Sequence, residues 1–151
     1  VLISSFAQVP AIFLAASYSD RHGRRGIYKM GALAMAVWGF CVFPLMDTVS
    51  LLAITLALTV GQIFIGMMYG PQAALLTELF STEVRYSGAS LGYQLGAIVG
   101  GGMAPIAATA LIAAFGSAIW VSAYIALASL LTWLSLHLLG ENHQADLEKV
   151  A

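Results

Sequence analysis

Two short segments concentrate the side chains that could do chemistry. The first reads Ser19-Asp20-Arg21-His22-Gly23-Arg24-Arg25-Gly26, the second Glu78-Leu79-Phe80-Ser81-Thr82-Glu83-Val84-Arg85. An acid at the entrance to a tight turn, followed by spaced arginines, suits a salt-bridge network. A bare topology signal facing anionic lipid is the plainer alternative, but it leaves Asp20 and the glycines unexplained. Gly23 and Gly26 are expected to let the backbone turn sharply between two helices. In the second segment Ser81 or Thr82 is expected to cap the helix that follows, with Glu83 complementing its dipole. Arg85 would be a cation in a first helical turn, where the dipole opposes it. It is expected to find an acidic partner, with Glu78, Glu83 and Asp20 as candidates.

Away from these segments the polar side chains are few and patterned. Gln62, Tyr69 and Gln72 fall in a long apolar stretch, seven and three residues apart, so a helix places them on one face. Such a face suits a cavity wall; hydrogen bonds between helices would explain it without a ligand. Gly70-Pro71, beside them, is expected to free backbone groups and bend the helix. Further on, Gly88, Gly92, Gly96 and Gly100 recur every four residues, the spacing of a close helix-packing face, with Tyr93 and Gln94 beside it as possible ligand contacts. Gly100-Gly101-Gly102 and Pro105 predict a weak point in the same helix.

The elements that must carry these residues follow from composition. Of 151 residues 60% are hydrophobic and 9% charged, the net charge is −1, and the mean hydropathy is +0.90. A soluble domain carries about 25% charge. So little polar surface excludes an ordinary soluble enzyme, a disordered chain and a nucleic-acid binder, and leaves an integral membrane protein. One cysteine, Cys41, permits no internal disulfide. Charge-free runs long enough for helices of about 20 apolar residues predict five spans, at about 1–18, 28–46, 50–78, 86–113 and 118–139, with a polar tail at 140–151. The runs are too long and too continuously apolar for barrel strands. All six Lys and Arg residues fall in 19–29, 79–85 and the tail, on one side of a five-span arrangement. By the positive-inside rule that side and the C-terminus are cytoplasmic. The chain opens at Val1 inside an apolar run, and the expectation is a fragment cut into a helix. Trp38, Trp120 and Trp133 are expected at the lipid surface or in interfacial belts.

The residues as they stand resemble a known family. Ser19-Asp20-Arg21-His22-Gly23-Arg24-Arg25 resembles the D-R-x-G-R-R loop motif of the major facilitator superfamily. Tyr69-Gly70-Pro71, Glu78-Leu79-Phe80, Val84-Arg85-Tyr86-Ser87-Gly88-Ala89-Ser90-Leu91-Gly92-Tyr93-Gln94 and Gly100-Gly101-Gly102-Met103-Ala104-Pro105 resemble its metabolite:proton symporter group, which includes proline/betaine, α-ketoglutarate, citrate and shikimate transporters. Ala16, Gly26 and Ser81-Thr82-Glu83 depart from the residues frequent at their motif positions. The resemblance implies an all-α membrane fold equivalent to helices eight to twelve of a twelve-helix transporter. Spans one, three and four would line the cavity, and spans two and five would face lipid.

The function the resemblance implies is secondary active transport of a small metabolite across the inner (plasma) membrane by proton-coupled symport. The partners would be the substrate, protons, the bilayer and the N-terminal half of the same transporter. Gln62, Tyr69, Gln72, Tyr93 and Gln94 are the cavity candidates. Asp20, Arg21, Gly23, Arg24, Arg25, Glu78 and Arg85 would form the cytoplasmic gate. Gly70, Pro71, Gly88, Gly92, Gly96, Gly100 and Pro105 would serve helix packing or hinge motion. No mid-span Asp, Glu or His is present to carry a coupling proton. No P-loop, HExxH motif or Ser/His/Asp set points to an ATP-driven pump or a hydrolase, and neither metal nor cofactor is expected. The alternative is a membrane scaffold that only packs against partners.

Overall fold

A computed structural model describes residues 1–139; the tail expected at 140–151 lies outside the described residues. The chain forms α1 (Leu2–His22), α2 (Arg24–Asp47), α3 (Leu51–Glu78), α4 (Arg85–Gly96), a π-helical segment (Ala97–Gly102), α5 (Met103–Phe115) and α6 (Ile119–Leu138). The segment Arg85–Phe115 is one continuous apolar stretch of 31 residues. With it, five helices are long and apolar enough to cross a membrane, the others having 21, 24, 28 and 20 residues. No strand occurs among the described residues.

The helix boundaries have local causes. Gly23 separates α1 from α2 at φ 93°, a conformation open to glycine and strained for other residues, and its N–H donates to the Ser19 carbonyl at 3.0 Å. Gly26, expected in the turn, lies instead in the first turn of α2, so Gly23 alone makes the corner. Gly116 in the left-handed conformation ends α5, its N–H bonding the Ile112 carbonyl. The caps expected from Ser81 or Thr82 do not form. The N-cap position of α4 is Val84, which makes no side-chain cap bond and closes a turn onto the Ser81 carbonyl at 3.2 Å. α3 runs unbroken through Gly70-Pro71.

The packing follows from residue size. α3 sits against α1 and α2, and α2 also packs on α6, while α4 touches α3 and α5 touches α6. The buried side chains are mostly small: Ala15, Ala32, Ala36, Ala57, Ala126 and Ser4, Ser19, Ser122. Large residues such as Phe6, Phe13, Leu52 and Ile106 face outward. In lipid nothing drives large apolar side chains inward, so close backbone approach does the packing. The tightest approach is α1 on α3. A methyl group at Gly70 would lie 2.7 Å from the Ile12 carbonyl oxygen and 3.0 Å from the Ala15 Cβ, and one at Gly66 3.0 Å from the Ala11 Cβ. Gly66 and Gly70 are thus a small-xxx-small pair matched by Ala11 and Ala15. The glycine face expected on the fourth span packs only in part. Gly88 meets the Phe80 ring and Gly92 lies near Leu76, whereas Gly96, Gly100, Gly101 and Gly102 have nothing within 4 Å.

Polar side chains add interhelical ties. Trp38, expected at the lipid surface, donates its indole N–H to the Ala57 carbonyl at 3.1 Å and sets an edge against Phe64. The reason is Gly61, which leaves a slot for the indole one turn from its acceptor. Thr59 and Ser4 join α3 to α1 through their hydroxyls at 3.5 Å.

Candidate functional site: the charged helix ends and the cavity beneath them

Arg24 is the centre of the charged cluster. Its Nη2 lies 3.4 Å from Asp20 Oδ1 and its Nε 2.7 Å from Glu78 Oε1. It therefore ties together the C-terminal ends of α1 and α3 and the N-terminal end of α2. Dipole electrostatics explain the arrangement. Each carboxylate sits near a helix C-terminus, where its charge is disfavoured, and Arg24 sits in a first turn, where a cation is disfavoured; pairing offsets all three. Arg25, the next residue, donates through Nη1 to the Leu139 carbonyl beyond α6. The adjacent arginines thus fasten the α2 end to both of its flanks. Arg21 and His22 end α1, where the arginine's charge suits the dipole, and His22 stacks on Tyr18 with ring centroids 4.2 Å apart.

Arg85 behaves differently from expectation. Among the described residues no ion pair joins it to Glu78, Glu83 or Asp20. Its Nε donates to the Phe80 carbonyl at 3.4 Å, five residues back in its own loop. The loop turns so tightly before α4 that the nearest acceptor for the guanidinium is backbone. The acid-paired cation at a helix start is Arg24, and the same dipole reasoning applied to Arg24 identifies it from sequence.

Beneath the cluster lies a cavity of about 870 Å³, within the range of small-molecule sites. Three of the five cavity candidates line it: Tyr69, Gln72 and Tyr93. Gln62 and Gln94 do not. Gln62 shares a face with Tyr69 but lies two turns before it in α3, about 10 Å away at the helical rise. Gln94 is rotated about 100° from Tyr93 and is exposed. Gly92, Gly96, Ala97 and Gly101 form the wall on the fourth span. The second and fifth spans also contribute, although the resemblance implied that they face lipid: Tyr28 from α2, and Thr132 and Ser135 from α6. The signal for the last two was present, since hydroxyls three apart share a helix face. Both hydroxyls donate within α6, to Ala128 and Leu131, and present only acceptor capacity to the cavity.

A bundle of membrane-length helices, held by small residues and fastened at one end by charge, defines a multi-pass membrane protein. The Major Facilitator Superfamily profile matches residues 1–149. The chain is similar to a Haemophilus influenzae protein named as a metabolite transport protein (35% identity over 99% of the chain and 34% of that protein). It is also similar to the shikimate transporter of Escherichia coli (33% over 84% and 30%) and the citrate-proton symporter of Klebsiella pneumoniae (36% over 74% and 25%). The chain belongs to the Major Facilitator Superfamily. It spans about a third of the length of the first curated relatives it matches. No solved structure matches it.

Proposed function

We propose that the chain is part of a secondary transporter that carries a small organic metabolite across the inner membrane, coupled to protons and working by alternating access. The observation that carries this reading is the cavity: polar groups from α2, α3, α4 and α6 converge on one space inside a membrane bundle. A scaffold would have no use for such a space, whereas lipid would penalise an empty polar one. Relatives named as shikimate transporter and citrate-proton symporter support both the substrate class and the coupling ion.

In this reading the chain supplies the equivalents of helices eight to twelve, and the rest of a twelve-helix protein supplies the opposing wall of the path and the coupling carboxylate. Tyr69, Gln72 and Tyr93 contact substrate from this side, with Tyr28, Thr132 and Ser135 completing the wall. Asp20, Arg24 and Glu78 clamp the ends of α1, α2 and α3 so that these three helices move as one body, and Arg25 and Arg85 shape the loops around them. The charged end faces the cytoplasm, consistent with the one-sided distribution of Lys and Arg.

The test is uptake of radiolabelled citrate, shikimate and proline by cells expressing the complete protein, with and without a protonophore. Saturable uptake of one of them, abolished by the protonophore, is expected, with Gln72→Ala raising the apparent KM. Absence of uptake of any small metabolite by correctly inserted protein overturns the reading.

A further inference from the structure

The fourth span is continuous in sequence yet divided in structure. Its two halves have different neighbours: α4 packs on α3, α5 packs on α6, and among the described residues Ala97–Gly102 between them packs against α4 and α5 alone. No residue of the three segments is buried. α4 is held at its start by Gly88 against the Phe80 ring, and α5 at its end by the stack of Phe115 on Trp120, with centroids 4.6 Å apart. The joint itself is π-helical, a winding that occurs mostly as single turns and marks points where helices bend. Gly96 before it and Gly100, Gly101 and Gly102 within it carry no side chain, and among the described residues a methyl group on any of them meets nothing within 4 Å. Pro105 lacks the N–H that would bond the carbonyl four or five residues back, at Gly101 or Gly100. Two anchored rods are joined by the one stretch whose winding is loose, whose residues are the most permissive and whose ladder is interrupted.

We propose that Ala97–Gly102 is a hinge, about which α4 rolls on α3 while α5 stays with α6. The cavity gives the motion a consequence. Gly92, Tyr93, Gly96, Ala97 and Gly101 form one wall, and Leu131, Thr132, Ser135 and Leu136 of α6 form part of the other. Among the described residues α4 makes no packing contact with α6, so no contact within this chain fixes the width of that gap. Swinging α4 toward α6 narrows the cavity, and swinging it away widens it. The inference rests on the transporter reading for its purpose but not for its geometry.

Among the described residues a methyl group at Gly100, Gly101 or Gly102 meets no atom within 4 Å, so within this chain Gly→Ala there changes backbone freedom, and the melting temperature reports any packing of these glycines on the rest of the protein. Each replacement favours regular α-helix about four- to fivefold, and the three together on the order of 100-fold. The complete protein, with Cys41 and every other native cysteine replaced by Ser and with spin labels on Ser90→Cys and Leu127→Cys, is reconstituted in liposomes without ligand, and the interlabel distance distribution is measured. The parent is expected to show two distance populations. The triple variant Gly100→Ala/Gly101→Ala/Gly102→Ala is expected to show one, with an unchanged or raised melting temperature and at least tenfold slower uptake of whichever of citrate, shikimate or proline the parent carries. An identical distribution in parent and variant overturns the hinge. A fall in melting temperature in the variant also overturns it, because the glycines would then be packing positions. If the populations merge in the variant while the parent transports none of the three solutes, the hinge stands and the transporter reading fails.

Discussion

Replacing Arg24 by Gln removes the centre of the charged clamp, and its cost can be worked from the geometry. The contact to Asp20 is an i,i+4 pair at 3.4 Å with the carboxylate 61% exposed, a class that contributes about 0.4 kcal/mol. The contact to Glu78 is a charge-assisted hydrogen bond at 2.7 Å with the guanidinium side chain only 29% exposed, which places it near the upper limit for surface pairs, about 1 kcal/mol. Loss of both is about 1.4 kcal/mol, a tenfold change in the balance between fastened and loosened helix ends. Glu78→Gln should give about fivefold and Asp20→Asn about twofold on the same energies. The assay is the alkylation rate of a cysteine at Thr77, which is exposed at the end of α3 beside Glu78, in the complete protein with Cys41 and every other native cysteine replaced by Ser. Rates should rise in the order Asp20→Asn, Glu78→Gln, Arg24→Gln, and high salt, which screens the pairs, should raise the parent's rate toward that of Arg24→Gln so that the differences shrink. A wild-type rate in Arg24→Gln, or equal effects of Asp20→Asn and Glu78→Gln, refutes the clamp.

Gly70→Ala forces a methyl group against the Ile12 carbonyl and should destabilise the protein by about 1–3 kcal/mol, read as a fall in thermal midpoint; an unchanged midpoint would mean that α1 and α3 do not cross there. Gly23→Ala meets no atom but must hold φ 93°, so a loss of about 1–3 kcal/mol with unchanged helical circular dichroism is expected. Trp38→Phe keeps the ring and loses the bond to Ala57, and should cost about 1 kcal/mol. Cysteines at His22 and Glu83 should react with an impermeant reagent from the cytoplasmic side and one at Thr48 from the opposite side; reaction of position 22 from outside inverts the orientation.

Much of this was legible in the sequence because lipid imposes simple rules. Charge-free length set the spans, and Gly23 marked the first corner because only glycine tolerates its φ. The weak point at Gly100-Gly101-Gly102 emerged as a π-helical segment. What escaped the sequence depends on facing. Periodicity placed Gln62, Tyr69 and Gln72 on one side of α3 but could not say that the cavity reaches only Tyr69 and Gln72, since that depends on where α4 and α6 end. Glycine spacing in the fourth span read as packing, although the tight crossing is made by Gly66 and Gly70, where α1 supplies alanines at matching height. The sequence puts the dipole conflict at Arg85, yet among the described residues it is Arg24 rather than Arg85 that pairs with carboxylates, one four residues back and one from a helix more than fifty residues away in sequence.

The central claim is that this chain belongs to a carrier that exposes one site alternately to the two sides of a membrane. Counterflow tests it most directly. Liposomes bearing the complete protein are loaded with an unlabelled solute that supports uptake, diluted into a trace of the same labelled solute, and followed in the absence of any proton or electrical gradient. An alternating-access carrier must show a transient accumulation of label above its external concentration, driven only by exchange. Label that never exceeds equilibrium in liposomes holding folded protein contradicts the account.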